Sequence, residues 1–149
     1  MTYKIKILFG VVVNVADVKD IIQLYRYFHK YDKYTDDDIY SNILPSLKLK
    51  QYCLHQDREG LYGFSNWAFL NEQEEQHLLE YKFIRNNQWC CGNIAWHMDI
   101  VALGKTRKIM DWTKQHFTQL LGCNKKVKWL RIYDDKIIPK EITTKRHFV

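Results

Sequence analysis

Residues 93–133 constrain the fold more than any other part of the chain. An apolar run over residues 93–101 leads to a sharp break at Gly104-Lys105-Thr106, then to a strongly amphipathic stretch, and then to an alternating run over residues 127–133. Gly122 stands where a glycine commonly ends a helix. A strand, a helix and a second strand in this order predict a right-handed crossover between two parallel strands. The apolar face of the predicted helix comprises Ile109, Trp112, Thr113, His116, Phe117 and Leu120.

The start of the chain predicts a first helix behind an apolar segment. The β-branched residues 3–15 are either a strand or an apolar lead-in. Asn14 or Asp17 can cap the helix that follows, because both side chains accept hydrogen bonds from backbone N–H groups. Its apolar residues recur at helical spacing, and we expect the helix to end near residues 29–31.

The next predicted elements are a second helix and a β-hairpin. Thr35 precedes three aspartates, which suit the positive end of a helix over residues 36–47. Pro45 is expected to kink this helix or to end it early. Residues 51–56 and 61–69 are typical of two strands joined by a tight turn.

The order of elements predicts an α/β fold. Asn71 is expected to cap a third helix over the acidic residues 72–80. With the crossover, the order is helix, helix, strand, strand, helix, strand, helix, strand, which is typical of a mixed twisted sheet with helices on both faces. The chain has 149 residues and no repeat or linker, so residues 1–149 are expected to form a single domain.

Composition excludes several classes of protein. Two prolines and six glycines argue against a disordered or collagen-like chain. The longest apolar stretch without a charge, residues 7–16, is too short to span a bilayer. Charged residues follow it at once without a small-residue cleavage pattern, so we expect no membrane span, no signal peptide and a cytoplasmic protein.

Positive charge is concentrated in the last third of the chain. Residues 1–100 carry a net charge of −2, whereas residues 101–149 carry 12 lysines and arginines against 4 aspartates and glutamates, a net charge of +8. This balance favours an acidic partner: nucleic acid, a phosphorylated cofactor, an anionic lipid surface or an acidic protein. Charge alone does not choose among them.

The cysteines do not predict a metal site. They are Cys53, Cys90, Cys91 and Cys123, and an adjacent pair flanked by distant single cysteines matches no zinc-binding spacing. We expect four free, buried thiols in a reducing compartment and no metal.

Six histidines are candidate general bases. His55 and His77 are expected to be solvated, and His116 is expected to be a hydrogen-bonded core residue on its helix. His97 stands between Trp96 and Met98 in a predicted strand, so its side chain is expected on the face of the sheet opposite to theirs. His29 differs, because it lies at the end of the first helix among tyrosines and cations, where a helix terminus or a nearby carboxylate raises a histidine pKa.

Asp99 and the break after it are candidate site features. Asp99 is the only formal charge between Arg85 and Lys105, in a strand otherwise suited to burial. Its carboxylate has either a structural role, in a buried ion pair or a turn cap, or a catalytic role, in which it orients a histidine. The Gly104-Lys105-Thr106 break is too short for a Walker loop, but a helix N-terminus there offers backbone N–H groups to a pyrophosphate or phosphopantetheine.

Five segments in order resemble the toxin-activating lysine acyltransferases of the RTX haemolysin systems. They are Asn-Ile-Leu-Pro-Ser-Leu at 42–47, Gln-Tyr-Cys-Leu at 51–54, Trp-Ala-Phe-Leu at 67–70, Trp-His-Met-Asp-Ile-Val-Ala-Leu-Gly at 96–104 and Leu-Arg-Ile-Tyr-Asp at 130–134. The similarity extends over about residues 26–134. It implies an acetyltransferase-like (GNAT-type) fold and transfer of a fatty acyl group from acyl carrier protein to a lysine amine of a target protein.

The resemblance also implies roles for particular residues. The positions that match the family's catalytic histidine and aspartate are His29 and Asp99, and phosphopantetheine would reach Gly104, Lys105 and Thr106. Members of the family tend to form homodimers.

The chain departs from the family at three points. Arg26-Tyr27-Phe28 replaces the family's Ser-Pro-Leu, Leu103-Gly104 lacks its proline, and the C-terminal part is shorter. The alternative is therefore a catalytically diverged member that binds a host protein or a nucleic acid.

Overall fold

The computed structural model describes residues 7–8, 11–133 and 136–146. No helix among them is long and apolar enough to cross a bilayer. The part of the expected first strand at residues 3–6 and 9–10 lies outside the described residues. In chain order the elements are β1 (Ile7–Leu8), β2 (Val11–Val12), α1 (Val15–Tyr25), a 3-10 turn (His29–Tyr31), α2 (Asp36–Lys48), β3 (Tyr52–Asp57), β4 (Gly60–Leu70), α3 (Glu72–Tyr81), β5 (Ile94–Ala102), α4 (Thr106–Leu121), β6 (Lys126–Tyr133) and β7 (Lys136–Thr143).

Five strands form one mixed sheet in the order β3-β4-β5-β6-β7. β5 and β6 are parallel, as the crossover predicts, and Ala95 is paired with Val127 at their amino ends. The β3–β4 and β6–β7 pairs are antiparallel. The predicted α/β fold with a mixed sheet is therefore confirmed. By compactness the chain divides into two units, the first up to Asn66 with Ile100–Gly104, and the second Trp67–Asp99 with the chain from Lys105 onward.

In the first unit, short-range caps set the helix starts. The Asn14 side chain accepts from the N–H of Ala16 at 2.9 Å and so begins α1. Thr35 and Asp38 form a reciprocal capping box at the start of α2. Between these helices and the sheet lies a core of buried residues: Val13, Val18, Ile21, Ile22, Leu24, Tyr25, Ile39, Ile43, Leu47, Phe64 and Val101.

Pro45 does not end α2 early, as it was expected to if it did not kink the helix; α2 continues to Lys48. Proline removes one N–H donor, which deprives the carbonyl four residues earlier of its partner. That residue is Ser41, which is exposed to solvent, so water can satisfy its carbonyl oxygen. Pro45 lies in the last turn of α2, which ends three residues later. The Pro45 carbonyl is itself satisfied, because it accepts from Leu49 N–H at 3.2 Å.

In the second unit, β5 sends alternate side chains to two helices. Trp96 Nε1 donates to Glu75 Oε2 of α3 at 2.8 Å. His97 Nε2 lies 3.0 Å from Thr113 Oγ1 of α4. Because neighbouring residues of a strand point to opposite faces, α3 and α4 cover opposite faces of this part of the sheet. The predicted orientation of His97 is confirmed.

The final strand, β7, was not expected from the sequence. It pairs with β6 along its whole length, from Lys126 opposite Thr143 to Tyr133 opposite Lys136. Six of its eight residues are exposed, so β7 lacks the apolar–polar alternation by which a half-buried strand is recognised.

Candidate active site

His29 begins the 3-10 turn and its side chain is fully exposed. Its Nδ1 lies 3.2 Å from Asp32 Oδ2. An ionised carboxylate only accepts hydrogen bonds, so in this pair Nδ1 carries the proton. In the neutral ring, the lone pair is then on Nε2, the atom that would take a proton from a substrate.

Hydrogen bonds from Arg26 stabilise the segment that carries His29. Its guanidinium donates to Asp36 Oδ1 from Nε at 3.0 Å and from Nη2 at 2.6 Å. Nη1 donates to the Tyr31 carbonyl at 3.2 Å, and Nη2 donates to the Tyr34 carbonyl at 2.8 Å. One side chain at the end of α1 therefore holds both the turn and the first residue of α2. From the sequence, Arg26 was noted only as a departure from the family pattern, and Asp32 was not named. Asp32 stands three residues after His29, a spacing that pairs side chains in a helical turn.

Asp99 lies two residues after His97 on the α4 side of β5. Asp99 is half-buried, whereas its apolar neighbours in the sequence predict full burial. Its carboxylate therefore keeps part of its hydration and does not carry the full desolvation cost of a buried charge. His29 belongs to the first compact unit and Asp99 to the second. Their pairing as a dyad stays a prediction.

The break before α4 has the backbone of an open helix N-terminus. Gly104 and Lys105 have φ angles of +73° and +56°, in the left-handed region. No side chain of the described residues caps α4 at Lys105. The Lys105 carbonyl accepts from Lys108 N–H at 3.0 Å, so the helix is wound from its first turn. The N–H groups at Thr106 and beyond have the arrangement that binds an anion at a helix start.

His55 is buried, which corrects the expectation that it is solvated. It lies on β3, and its Nε2 is 2.8 Å from the hydroxyl of buried Ser65 on β4. Burial lowers the pKa of His55 to about 4 and raises that of neighbouring Cys53 to about 11. Cys53 Sγ is 3.8 Å from His55 Nδ1. A neutral histidine between a hydroxyl and a thiol is a satisfied interior group, and the sequence carried no local signal of it.

An aromatic cluster packs under α4 in the second unit. His97 is buried in it, and Thr113 Oγ1 donates its proton to the Ile109 carbonyl at 2.8 Å. The hydroxyl therefore accepts from His97, so His97 carries its proton on Nε2. His116 stacks on Trp112 at 4.5 Å between ring centroids, and its partial burial lowers its pKa. The cluster comprises Trp67, His97, Trp112, His116 and Phe117.

The four cysteines are free, as predicted, but the prediction that they are buried was wrong. Cys90 and Cys123 are exposed, while Cys53 and Cys91 are half-buried. Within the described part of the chain, no three His, Cys, Asp or Glu side chains are arranged to hold a metal ion.

Comparison with known proteins decides the family. A model of the RTX toxin acyltransferase family matches residues 17–140. The chain belongs to this family. Over 110 residues this acyltransferase is 28% identical to the lysine-acyltransferase RtxC of Vibrio cholerae serotype O1 (strain ATCC 39315 / El Tor Inaba N16961), which covers 60% of the chain and 72% of the relative.

A solved structure confirms the fold of this acyltransferase. It is similar to the loading GNATL domain of CurA from Lyngbya majuscula, with a TM-score of 0.52 and 14% identity over 83% of this chain and 67% of that domain. The predicted GNAT-like fold, the family resemblance and the acyltransferase activity are thus confirmed. The matched segment includes His29, Asp99 and residues 104–106, whose roles stay predictions.

Proposed function

We propose that this acyltransferase moves a fatty acyl group from acyl carrier protein to the ε-amine of a lysine in an RTX toxin. The observation that carries the proposal is the family match across residues 17–140, joined by similarity to a lysine-acyltransferase. The acyl donor, the acceptor lysine and the catalytic residues are parts of the proposal. A cytoplasmic location and a homodimer stay predictions.

His29 is the proposed general base. The lysine amine attacks the thioester carbonyl, an amide bond forms, and the carbon–sulfur bond breaks to release the phosphopantetheine thiol. His29 Nε2 accepts the proton that the attacking nitrogen loses and returns it to the leaving sulfur, so no other reactant is needed. The exposure of His29 and the proton on its Nδ1 support this role, because they leave Nε2 open to a bulky protein acceptor.

Asp99 is the proposed carboxylate of the dyad. A carboxylate near the reacting groups stabilises the imidazolium that forms when His29 takes its proton. Half-burial of Asp99 supports the role, since a carboxylate partly withdrawn from water acts more strongly on a neighbouring charge than a fully solvated one.

Gly104, Lys105 and Thr106 are the proposed site for the phosphate of phosphopantetheine. The start of α4 supports this, because its backbone N–H groups and the positive end of the helix favour an anion. Lys105, Arg107 and Lys108 add cations in the same segment. Acyl carrier protein is itself acidic, which suits the basic last third of the chain.

The test is in vitro acylation. Purified protein is incubated with palmitoyl-acyl carrier protein and an unacylated RTX toxin, and the toxin is analysed by peptide mass spectrometry before and after neutral hydroxylamine. We expect a hydroxylamine-resistant palmitoyl group on lysine, since amides survive this treatment and thioesters do not. His29→Ala should abolish the product without changing the melting temperature, because the side chain it removes is exposed.

The matched control is His77→Ala, which also removes a histidine from outside the proposed site. His77 lies on α3, where it is partly buried against Tyr81 and Phe83 rather than solvated as expected. No role in the reaction is proposed for it, so its replacement should leave the acylation rate within about twofold of wild type. Absence of lysine acylation by the wild-type protein, together with tight binding to a protein or a nucleic acid, would instead support the catalytically diverged alternative.

A further inference from the structure

The register of the β6–β7 hairpin sorts its side chains onto two faces. Arg131 is opposite Ile138, and Lys128 is opposite Glu141. Residues opposite each other in antiparallel strands share a face, and successive residues alternate. Arg131, Lys136, Ile138 and Lys140 therefore lie on one face, called here the basic face. The other face comprises Lys126, Lys128, Leu130, Ile132, Ile137, Pro139, Glu141 and Thr143.

On that other face the cations have carboxylate partners. Lys128 Nζ is 3.0 Å from Glu75 Oε2 of α3, and Lys126 Nζ is 3.3 Å from Glu141 Oε2. Leu130 packs against the core cluster that contains Trp96. This face is therefore largely neutralised, and it is joined to α3.

The basic face differs in charge. Lys136 and Lys140 are exposed, and neither has an ion-pair partner among the described residues. Glu141 is the acidic residue among the described residues of β6 and β7, and it lies on the other face. Asp134 and Asp135 lie outside the described residues. Ile138, 37% exposed, adds an apolar surface between the cations.

Topology places the end of this hairpin beside the start of α4. β5 and β6 are parallel, so their carboxyl ends lie at the same edge of the sheet. α4 begins at Thr106, four residues after β5 ends at Ala102, and β7 begins at Lys136, three residues after β6 ends at Tyr133. Val127 of β6 is paired with Ala95, which shares a face with His97 and hence with α4. The basic face is on this α4 side of the sheet.

We propose that the basic face is the docking surface for the acidic carrier protein that delivers the acyl group; the inference rests on the proposed function. A donor whose phosphate lies at the start of α4 must keep its protein body outside that edge of the sheet, where the hairpin presents Lys136 and Lys140. Acidic side chains on the donor complement these cations, and Ile138 gives the contact an apolar centre. A second copy of this chain would bring like charges together, and Pro139 has no N–H to offer an added strand.

The experiment compares two double charge reversals of equal size. Lys136→Glu with Lys140→Glu reverses the basic face, and Lys19→Glu with Lys114→Glu reverses exposed lysines of α1 and α4. Steady-state kinetics are measured with palmitoyl-acyl carrier protein and with palmitoyl-pantetheine, which lacks the carrier body. The dissociation constants for free carrier protein and for duplex DNA are measured alongside, across a salt series.

We expect the basic-face variant to raise the KM for the acylated carrier at least about tenfold, with kcat and the turnover of palmitoyl-pantetheine unchanged. The control variant should change that KM less than about threefold. Equal KM values for the two variants would overturn the docking surface while leaving the proposed function intact. No turnover of acylated carrier by the wild-type protein would overturn both. Weaker DNA binding by the basic-face variant, with carrier binding unchanged, would assign the surface to nucleic acid instead.

Discussion

Arg26 Nη2 lies 2.6 Å from Asp36 Oδ1, and this ion pair joins the end of α1 to the first residue of α2. Between them in the chain stands the turn that carries His29. The same guanidinium also donates to the carbonyls of Tyr31 and Tyr34, so one side chain contacts the end of the turn and two residues that follow it.

Replacing Arg26 is expected to reduce activity more than stability. Arg26→Gln removes the ion pair and loosens the turn, and a misplacement of about 1 Å at a reacting group costs up to roughly 100-fold in rate. The pair is about one-third exposed, so the free energy of unfolding should fall by only about 1 kcal/mol. The measurements are kcat with palmitoyl-acyl carrier protein and chemical unfolding.

Asp36→Asn is the matched comparison, because it removes the charge but leaves both carbonyl contacts of Arg26. We expect its loss of kcat to be smaller than that of Arg26→Gln. Equal kcat in Arg26→Gln and wild type would contradict the role of the clamp.

Two carboxylates compete for the role of partner to His29. Asp99→Asn is expected to lower kcat by about 100-fold, because it removes the charge that stabilises the imidazolium. Asp32→Ala is expected to lower kcat less than about threefold, because its pair with His29 is exposed and screened by water. Initial acylation rates at saturating donor decide between them. A larger loss of kcat in Asp32→Ala than in Asp99→Asn would assign the orienting role to Asp32 and contradict the dyad with Asp99.

The low pKa of buried His55 predicts that the protein loses stability in mild acid. Its pKa is about 4 in the folded protein and about 6.5 when unfolded, so between these values the unfolded chain binds a proton that the folded chain does not. The contribution is fully present above pH 6.5 and is lost as pH falls toward 4. We expect a fall of about 1–2 kcal/mol in the free energy of unfolding over this range, measured by urea titration.

The control for this pH dependence is His55→Gln, which cannot titrate. Its free energy of unfolding should change less between pH 6.5 and pH 4 than that of wild type. His116, whose pKa is also lowered by burial, acts in the same direction, so the slope in His55→Gln decreases without vanishing. An unchanged slope in His55→Gln would refute the assignment.

The cysteines should react with iodoacetamide in a defined order. Cys90 and Cys123 are exposed and should be labelled first. Burial raises the pKa of Cys53 to about 11, two units above an ordinary thiol, so at pH 8 its thiolate is roughly 100-fold scarcer and its labelling is slower by a similar factor. Time-resolved peptide mass spectrometry gives the three rates. Labelling of Cys53 as early as Cys123 would show that β3 opens readily.

Local sequence determined the helices. The cap at Asn71 was predicted outright, Asn14 was one of two candidates for the first helix, and the aspartates after Thr35 indicated the start of the second. Each observed cap joins a side chain to an N–H group within three residues. The parallel β5–α4–β6 unit was also predictable from its periodicity and from Gly104 and Gly122. Pro45 was the exception, because the cost of a proline depends on whether the carbonyl it orphans can reach water.

Of the candidate site, the sequence determined that Asp99 is an isolated charge in an apolar strand. The expectation that the first helix ends near residues 29–31 was wrong, because α1 ends at Tyr25 and His29 begins a separate 3-10 turn. Only the tertiary structure showed that His29 is fully exposed, that Arg26 clamps its turn and that His55 is buried against Ser65. It also decided which face of β6 and β7 carries Lys136 and Lys140, since the sequence of β7 has no apolar–polar alternation to indicate its faces. Caps and periodicity act over a few residues and are written in the sequence. Burial and charge compensation depend on segments distant in the chain, so the folded structure alone determines them.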